Sequence, residues 1–242
     1  MPATPAWPPA SSIRLFVDRP LEPGAAIALE EAQAHYLTTV MRLGPGAVLH
    51  VFDDRTGEYR ARMADVAKRA ATLFIEERLR AREPVPDLWL GAAPIRRARY
   101  EWVVEKACEL GVARIAPVLT RRAVVDRVNH DRLRAHMIEA AEQCGRTALP
   151  VLDPLVPLDA WLDALGERPL LFADEAGGRP MREVAAHGPT AILIGPEGGF
   201  DDAERALIRS RRGAVPISLG PRILRADTAA VAAVASWLAL AT

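Results

Sequence analysis

Ile192-Leu193-Ile194-Gly195-Pro196-Glu197-Gly198-Gly199-Phe200-Asp201 reads as a buried strand that runs straight into a glycine-rich turn and then into a helix. Asp201 and Glu204 have the spacing of a capping box at the start of that helix. Three glycines and a proline at the carboxyl end of a parallel strand let backbone N–H and C=O groups approach a ligand closely. The same residues also suit a tight strand-to-helix turn in which glycine serves geometry alone. The stretch by itself does not separate the two readings.

A second stretch has the same form. Ile217-Ser218-Leu219-Gly220-Pro221-Arg222-Ile223-Leu224-Arg225-Ala226-Asp227-Thr228-Ala229 is a strand, a Gly-Pro turn and a helix start. Arg222 and Arg225 flank the turn, and Asp227 or Thr228 can cap the alanine-rich helix beyond it. If both turns lie at one edge of a sheet, they border one pocket. Arg225 then suits ligand contact, against the simpler role of a surface salt bridge to Asp227. A third stretch, Glu139-Ala140-Ala141-Glu142-Gln143-Cys144-Gly145-Arg146, ends a helix, with Gln143 and Arg146 three apart on one face. Polar groups so paired usually form a solvated face.

Around these stretches the chain alternates strand and helix. Leu88–Ala93 is an apolar run, followed by a helical pattern of Tyr100, Val103, Ala107 and Leu110 that Gly111 closes. Arg114–Leu119 is the next strand. A helix from about Asp131 puts Leu133, Met137, Ala140, Ala141 and Cys144 on one face. Pro169–Ala173, Ala191–Gly195 and Val215–Leu219 are further strands, with helices near Met181–Ala186, Asp202–Arg211 and Thr228–Leu240. Repeated βα units predict an α/β domain, a mostly parallel sheet with helices on both faces.

Before residues 80–87 the period is two instead. Tyr59, Ala61 and Met63 alternate with Arg60 and Arg62, and Arg14–Val17, Ala47–Phe52 and Thr72–Ile75 are further strand candidates. Gly44-Pro45-Gly46 and Asp54-Arg55-Thr56-Gly57 are turns. A helix is expected from about Glu30 to Met41, with Tyr36, Val40 and Leu43 on one face. The expectation is a small β-rich domain over residues 1–83, a stiff link at Pro84 and Pro86, and a second domain over 84–242.

Composition removes several classes of function. The 31 basic residues balance 31 acidic ones, so bulk polycation binding to nucleic acid is excluded. The balance holds locally: residues 1–83 carry 11 of each sign, 84–168 carry 12, and 169–242 carry 8. A polyanion site must be a local cluster such as Arg96-Arg97-Arg99, Arg121-Arg122-Arg127 or Arg209-Arg211-Arg212. All basic residues except Lys68 and Lys106 are arginine, which pairs bidentately with phosphate. Cys108 and Cys144 make no disulfide framework. Met1 to Ser12 lacks the basic and apolar regions of a secretory signal, and no stretch reaches the ~20 apolar residues of a membrane span, so a cytoplasmic protein is expected. There is no Walker loop, no Gly-x-Gly-x-x-Gly fingerprint and no Gly-x-Ser-x-Gly elbow. His35, His50, His130, His136 and His187 show no metal-ligand spacing, and no metal is expected.

Taken together, Gly195–Phe200, Leu219–Arg225 with Asp227-Thr228-Ala229, and Glu142-Gln143-x-Gly145-Arg146 resemble one family closely. It is the ribosomal RNA small subunit methyltransferase E family, bacterial 16S ribosomal RNA uridine-N3 methyltransferases of the SPOUT superfamily. Glu101–Val112, with Pro117 before Thr120-Arg121-Arg122, fits the same pattern. Arg14-Leu15-Phe16-Val17 and His35-Tyr36-x-x-x-Val40-x-Arg42 match its PUA-like RNA-binding domain. The resemblance spans about residues 13–240. Asp227 and Cys144 differ from the residues usual there, Glu and Ser.

The resemblance implies a PUA-like β-barrel followed by a SPOUT-type sheet of five or six strands whose C-terminal portion, about 169–242, is tied in a trefoil knot. It implies a homodimer, with 16S ribosomal RNA as partner. It also implies S-adenosylmethionine held by Ile194, Gly195, Pro196, Glu197, Gly198, Gly199, Leu219, Gly220, Ile223, Leu224 and Arg225. The RNA contacts it implies are Arg14, Arg42, Arg121, Arg122, Gln143 and Arg146. A uridine N3 is a poor nucleophile until its proton leaves, so the site needs a base or a cation that stabilises the anion. Arg225 is the candidate cation, and Glu197 or Asp227 the candidate proton acceptor. The rivals are a SPOUT enzyme acting on transfer RNA, at guanine N1 or ribose 2′-OH, and a non-catalytic RNA-binding assembly factor.

Overall fold

The computed structural model describes residues 13–67, 70–185 and 188–241. The N-terminal stretch Met1–Ser12, Lys68 and His187, each read from the sequence above, lie outside the described residues. The chain divides into two compact units. The first is Met1–Pro84 with Glu142–Ala148, and the second is Val85–Ala141 with Leu149–Thr242.

In the first unit, strands β1 (Arg14–Phe16), β2 (Ala26–Ala28), β3 (Val48–Phe52), β4 (Gly57–Val66) and β5 (Ala71–Ala81) form one sheet in the order β1-β3-β4-β5-β2. β1 runs parallel to β3 and the other pairs are antiparallel. Alternate residues Leu49, Val51, Tyr59, Ala61, Met63, Leu73 and Ile75 form the core, as a half-buried sheet requires. β5 outruns its expected end at Ile75 because its polar extension pairs across the sheet. Glu76 bonds Arg62 Nε at 2.7 Å and faces Arg60 Nε at 3.0 Å. The three-residue β2 was too short to read.

The expected helix of residues 30–41 is a short helix, α1 (Glu31–His35), continued by a π-helical turn over Tyr36–Val40. Its i→i+5 bond, Met41 N–H to Tyr36 O at 2.9 Å, shifts the phase of the face. Ala34 and Leu37, three apart on one face, enter the core, while Tyr36 and Val40 are exposed.

Buried charge ties Glu142–Ala148 into this unit. Glu58, 2% exposed, takes Arg14 Nε at 2.6 Å and Arg80 Nε at 2.5 Å. Arg14 then donates to the carbonyls of Glu142 and Arg146, and Arg80 to that of Gly145. Glu83 and Thr147 exchange two bonds, Thr147 N–H to Oε1 at 2.8 Å and Glu83 N–H to Oγ1 at 2.9 Å.

The second unit is α/β. Its strands are β6 (Leu88–Ala92), β7 (Arg114–Leu119), β8 (Val151–Leu152), β9 (Val156–Pro157), β10 (Leu170–Ala173), β11 (Arg179–Pro180), β12 (Thr190–Ile194) and β13 (Ala214–Ser218). The order is β11-β13-β10-β12-β6-β7-β8, with β9 also on β7, and every pair is parallel. The helices are α2 (Arg97–Glu109), α3 (His130–Cys144), α4 (Leu158–Ala164), α5 (Asp202–Ser210) and α6 (Ala226–Ala241). The five longer strands lie where the sequence puts them. The two-residue strands and α4 were not expected, and the helix expected at Met181–Ala186 is a single 3₁₀ turn over Met181–Glu183, with Ala186 outside the described residues. Cys144, expected on the buried face of α3, is exposed because the helix ends there.

Alternation divides each central strand between two cores. Leu170, Phe172, Ala191 and Leu193 pack with Trp161 and Leu162 of α4 and Ile208 of α5. Leu171 and Ile192 point to the opposite face, where α6 packs on β6 and β12 and against α2. Each fully buried Leu or Phe contributes about 1.5–3 kcal/mol. Crossover helices on both faces leave the carboxyl ends of the strands open, where such sheets bind ligands.

Candidate functional site

Three adjacent strands, β13, β10 and β12, end at the same edge, and the turns after them enclose a cavity of about 680 Å³. Ile194, Gly195, Pro196, Glu197 and Gly199 line it from the turn after β12, and Leu219, Gly220, Ile223, Leu224 and Arg225 from the turn after β13. Gly220 has φ 121°, which only glycine adopts without strain, and a Cβ there would meet no protein atom within 4 Å. Gly198, expected with these, is not among the lining residues. Its carbonyl instead takes Arg122 Nη1 at 2.8 Å.

The third wall was missed in the sequence. It is the turn Asp174-Glu175-Ala176-Gly177-Gly178 after β10, and its strand-then-paired-glycine form repeats the signal read in the other two stretches. Asp174 is buried with both carboxylate oxygens engaged. Ala176 N–H and Arg205 Nε reach Oδ1 at 3.0 and 3.2 Å, and Arg209 Nη2 reaches Oδ2 at 2.7 Å. Arg96 and Arg99, at the start of α2, and Arg205 of α5 complete the lining.

The three residues expected to do chemistry sit differently from one another. Arg225 is exposed, and its guanidinium has no hydrogen bond or ion pair among the described residues. The alternative role, a salt bridge to Asp227, is absent among the described residues, because Asp227 is taken by another partner. Arg99 Nη1 lies 3.1 Å from Asp227 Oδ2, and Thr228 N–H donates to Oδ1 at 2.8 Å. Asp227 is 15% exposed at its side chain and does not line the cavity. It is also no cap: α6 begins at Ala226, which puts Asp227 and Thr228 inside the first turn. Glu197 lines the cavity with Oε1 at 4.0 Å from the same Arg99 nitrogen. One guanidinium thus stands between the two carboxylates.

Helix α5 anchors the second turn through the expected capping box. Glu204 N–H donates to Asp201 Oδ1 at 2.7 Å and Asp201 N–H to Glu204 Oε2 at 3.1 Å. The bond from Glu204 N–H holds the Asp201 carboxyl below its usual range. Arg121 is fixed to the same box, its N–H on Glu204 Oε1 at 2.7 Å and Nη1 at 3.3 Å from Asp201 Oδ2.

Of the expected RNA contacts, Arg121 and Arg122 are exposed beside the glycine turn. Arg42 is exposed with φ 56°, and Gln143 is exposed. Arg14 and Arg146 are not available. Arg14 is buried against Glu58 and over the Phe52 ring at 4.3 Å. Arg146 is buried with Nε 3.8 Å from Glu83, since the chain leaves the helix at Cys144 and turns it inward, off the face shared with Gln143.

Residues 81–238 match the RNA methyltransferase domain family, and residues 29–76 match the RNA methyltransferase PUA domain family. The ribosomal RNA small subunit methyltransferase E of Rickettsia conorii is 30% identical, over 92% of this chain and 93% of its own. That of Synechocystis sp. is 32% identical, over 89% and 74%. Among solved structures, a methyltransferase from Legionella pneumophila with its bound cofactor SAM superposes with TM-score 0.89 at 31% identity, covering 95% of this chain and 98% of that one. The ribosomal RNA small subunit methyltransferase E of Neisseria gonorrhoeae, bound to S-adenosyl methionine, gives TM-score 0.86 at 27% identity, covering 95% and 98%. With its parallel α/β sheet, its N-terminal PUA unit and a 30% identical relative matched over 93% of its length, the chain belongs to the ribosomal RNA small subunit methyltransferase E family.

Proposed function

We propose that this protein uses S-adenosylmethionine to methylate N3 of one uridine in the 16S RNA of the small ribosomal subunit. The observation that carries the reading is the cavity of three glycine-bearing turns with the unpartnered Arg225 at its rim. Family membership and the cofactor-bound neighbours support it. The residues present fit that cofactor. The open side of Gly220 gives a ligand access to bare backbone, and Glu197 offers a carboxylate to a cationic group.

Backbone groups of Gly195, Pro196 and Gly199 and of Leu219–Arg225 would hold the cofactor. When bound it supplies an electrophilic methyl group. Arg225 stabilises the negative charge that gathers on O2 or O4 of the uridine as the N3 proton leaves. Glu197, in the cavity, accepts that proton. Asp227 is drawn off from this role by Arg99 and Thr228 and serves to orient Arg99. Arg121, Arg122, Arg42 and Gln143 contact the RNA, whose target base must be unstacked to reach the cavity.

The same reading takes residues 1–83, joined by Glu142–Ala148, as the RNA-binding unit and the rest of 84–242 as the catalytic one, with about 169–242 threaded as a trefoil knot. It takes the active form as a cytoplasmic homodimer. Mass mapping of modified uridines in ribosomal RNA from cells with and without this protein tests the function. One 16S uridine should lose a single N3 methyl group in the deletion strain, and an unchanged map would refute the assignment.

A further inference from the structure

Asp174, Glu175 and Glu197 are the carboxylates that line the cavity among the described residues. Asp174 is fully engaged by Arg205, Arg209 and backbone, and Glu197 faces Arg99. Glu175 has no part in the chemistry above, yet it is placed as a binding group. Its Oε1 lies 3.2 Å from Arg205 Nη2, and its side chain remains 45% exposed. Among the described residues Oε2 has no hydrogen-bond partner. A Cβ built on Gly199 would stand 2.5 Å from Oε2 and 2.6 Å from Oε1, so the carboxylate lies directly over the peptide of the glycine turn.

We propose that Glu175, over the bare backbone of Gly199 and held by Arg205, receives the ribose hydroxyls of the cofactor's adenosyl group. The inference rests on the S-adenosylmethionine site proposed above. Two adjacent hydroxyls are two donors, and a carboxylate offers two acceptor oxygens, so the pair forms charge-assisted bonds. Acidic side chains meet ribose hydroxyls in the same way in dinucleotide-binding folds. The other donor that such a cofactor carries is its α-ammonium. Arg205 lines the same wall and already neutralises Glu175, which leaves the spot suited to neutral hydroxyls rather than to a second cation. Glu197, Arg99 and Arg225 come from the turns after β12 and β13 and the start of α2, which leaves the turn after β10 to the nucleoside end.

The test is calorimetric titration of the purified protein and of Glu175→Gln with S-adenosylhomocysteine and with its 2′,3′-dideoxyribose analogue. Glu175→Gln should weaken S-adenosylhomocysteine binding about ten- to a hundredfold, the loss of a charged hydrogen bond. The dideoxy analogue should bind both proteins alike, because its partner hydroxyls are already gone. Glu175→Asp, which keeps the charge on a shorter arm, should recover part of the loss, and thermal melts should match for all three proteins. Equal weakening of both ligands, or of neither, would overturn the ribose assignment. So would a loss that vanishes instead with a ligand lacking the α-ammonium. Failure of the unmodified protein to bind S-adenosylhomocysteine at all would sink the cofactor reading itself, which is a separate outcome.

Discussion

Arg225→Ala should separate catalysis from stability more cleanly than any other change at the site. Arg225 is exposed and makes no side-chain bond among the described residues, so its removal strands no partner. A surface substitution of this kind shifts stability by about 0.5 kcal/mol or less. Asp227, the carboxylate that Arg225 might have left unpaired, is held by Arg99 at 3.1 Å whether or not Arg225 is there. The melting temperature should therefore stay within about 2 °C. Against that, a single donor aimed at developing charge is worth ~10²–10³ in turnover. Arg225→Lys should restore only part of it, since an ammonium lacks the planar two-point contact of a guanidinium. The assay is single-turnover methylation of 30S subunits at saturating cofactor, with S-adenosylhomocysteine affinity and the thermal melt measured on the same preparations. A mutant that methylates at near wild-type rate would refute the reasoning, whatever its melt.

Three further outcomes follow from named contacts. Glu58→Ala leaves Arg14 buried without its carboxylate and should cost about 3–5 kcal/mol, seen as an earlier urea midpoint; an unshifted midpoint would contradict the buried network. Gly220→Val puts a branched side chain at φ 121° facing the cavity, so S-adenosylhomocysteine affinity should fall in calorimetry far more than the melt does; undiminished affinity would show that this turn does not border the cofactor. Asp201→Ala removes the cap of α5 and should lower the melting temperature at pH 7. Because the Asp201 carboxyl titrates below its unfolded range, its contribution is present above that range and fades as pH falls through the folded value; melts that differ by as much at pH 2 as at pH 7 would argue against the cap.

Much of the second unit was legible because its strands are short apolar runs closed by glycine and proline, and each run is covered on both faces by helices. The two turns share a cavity because Gly195 and Gly220 follow β12 and β13, the strands on either side of β10. What escaped is what periodicity does not encode. The turn at Asp174–Gly178 has the same strand-then-glycine form but carries two acids in place of a proline, and the sequence reading did not single it out. The partner of Asp227 could not be read from the sequence, because Arg99 reaches it from 128 positions away. Gly199 adds a contact that the sequence does not show: the space left by its missing side chain holds the Glu175 carboxylate. In the first unit, the helix gives way to a π-helical turn at Tyr36–Val40, which a count at 3.6 per turn cannot anticipate.

The segment Glu142–Ala148 sets a timetable for synthesis. The first unit is nearly complete in sequence by Pro84, yet the carbonyls that receive Arg14 and Arg80 belong to Glu142, Gly145 and Arg146, at least 142 − 84 = 58 residues later. At roughly 5–20 residues per second the nascent sheet waits about 3–12 s for those acceptors. During that interval Arg14 and Arg80 can already pair with Glu58 but lack those carbonyls, so an N-terminal fragment released early leaves part of each guanidinium's donors to water. Cutting the chain at the Pro84–Val85 boundary does not yield two self-sufficient halves, because the first half leaves a piece of itself in the second.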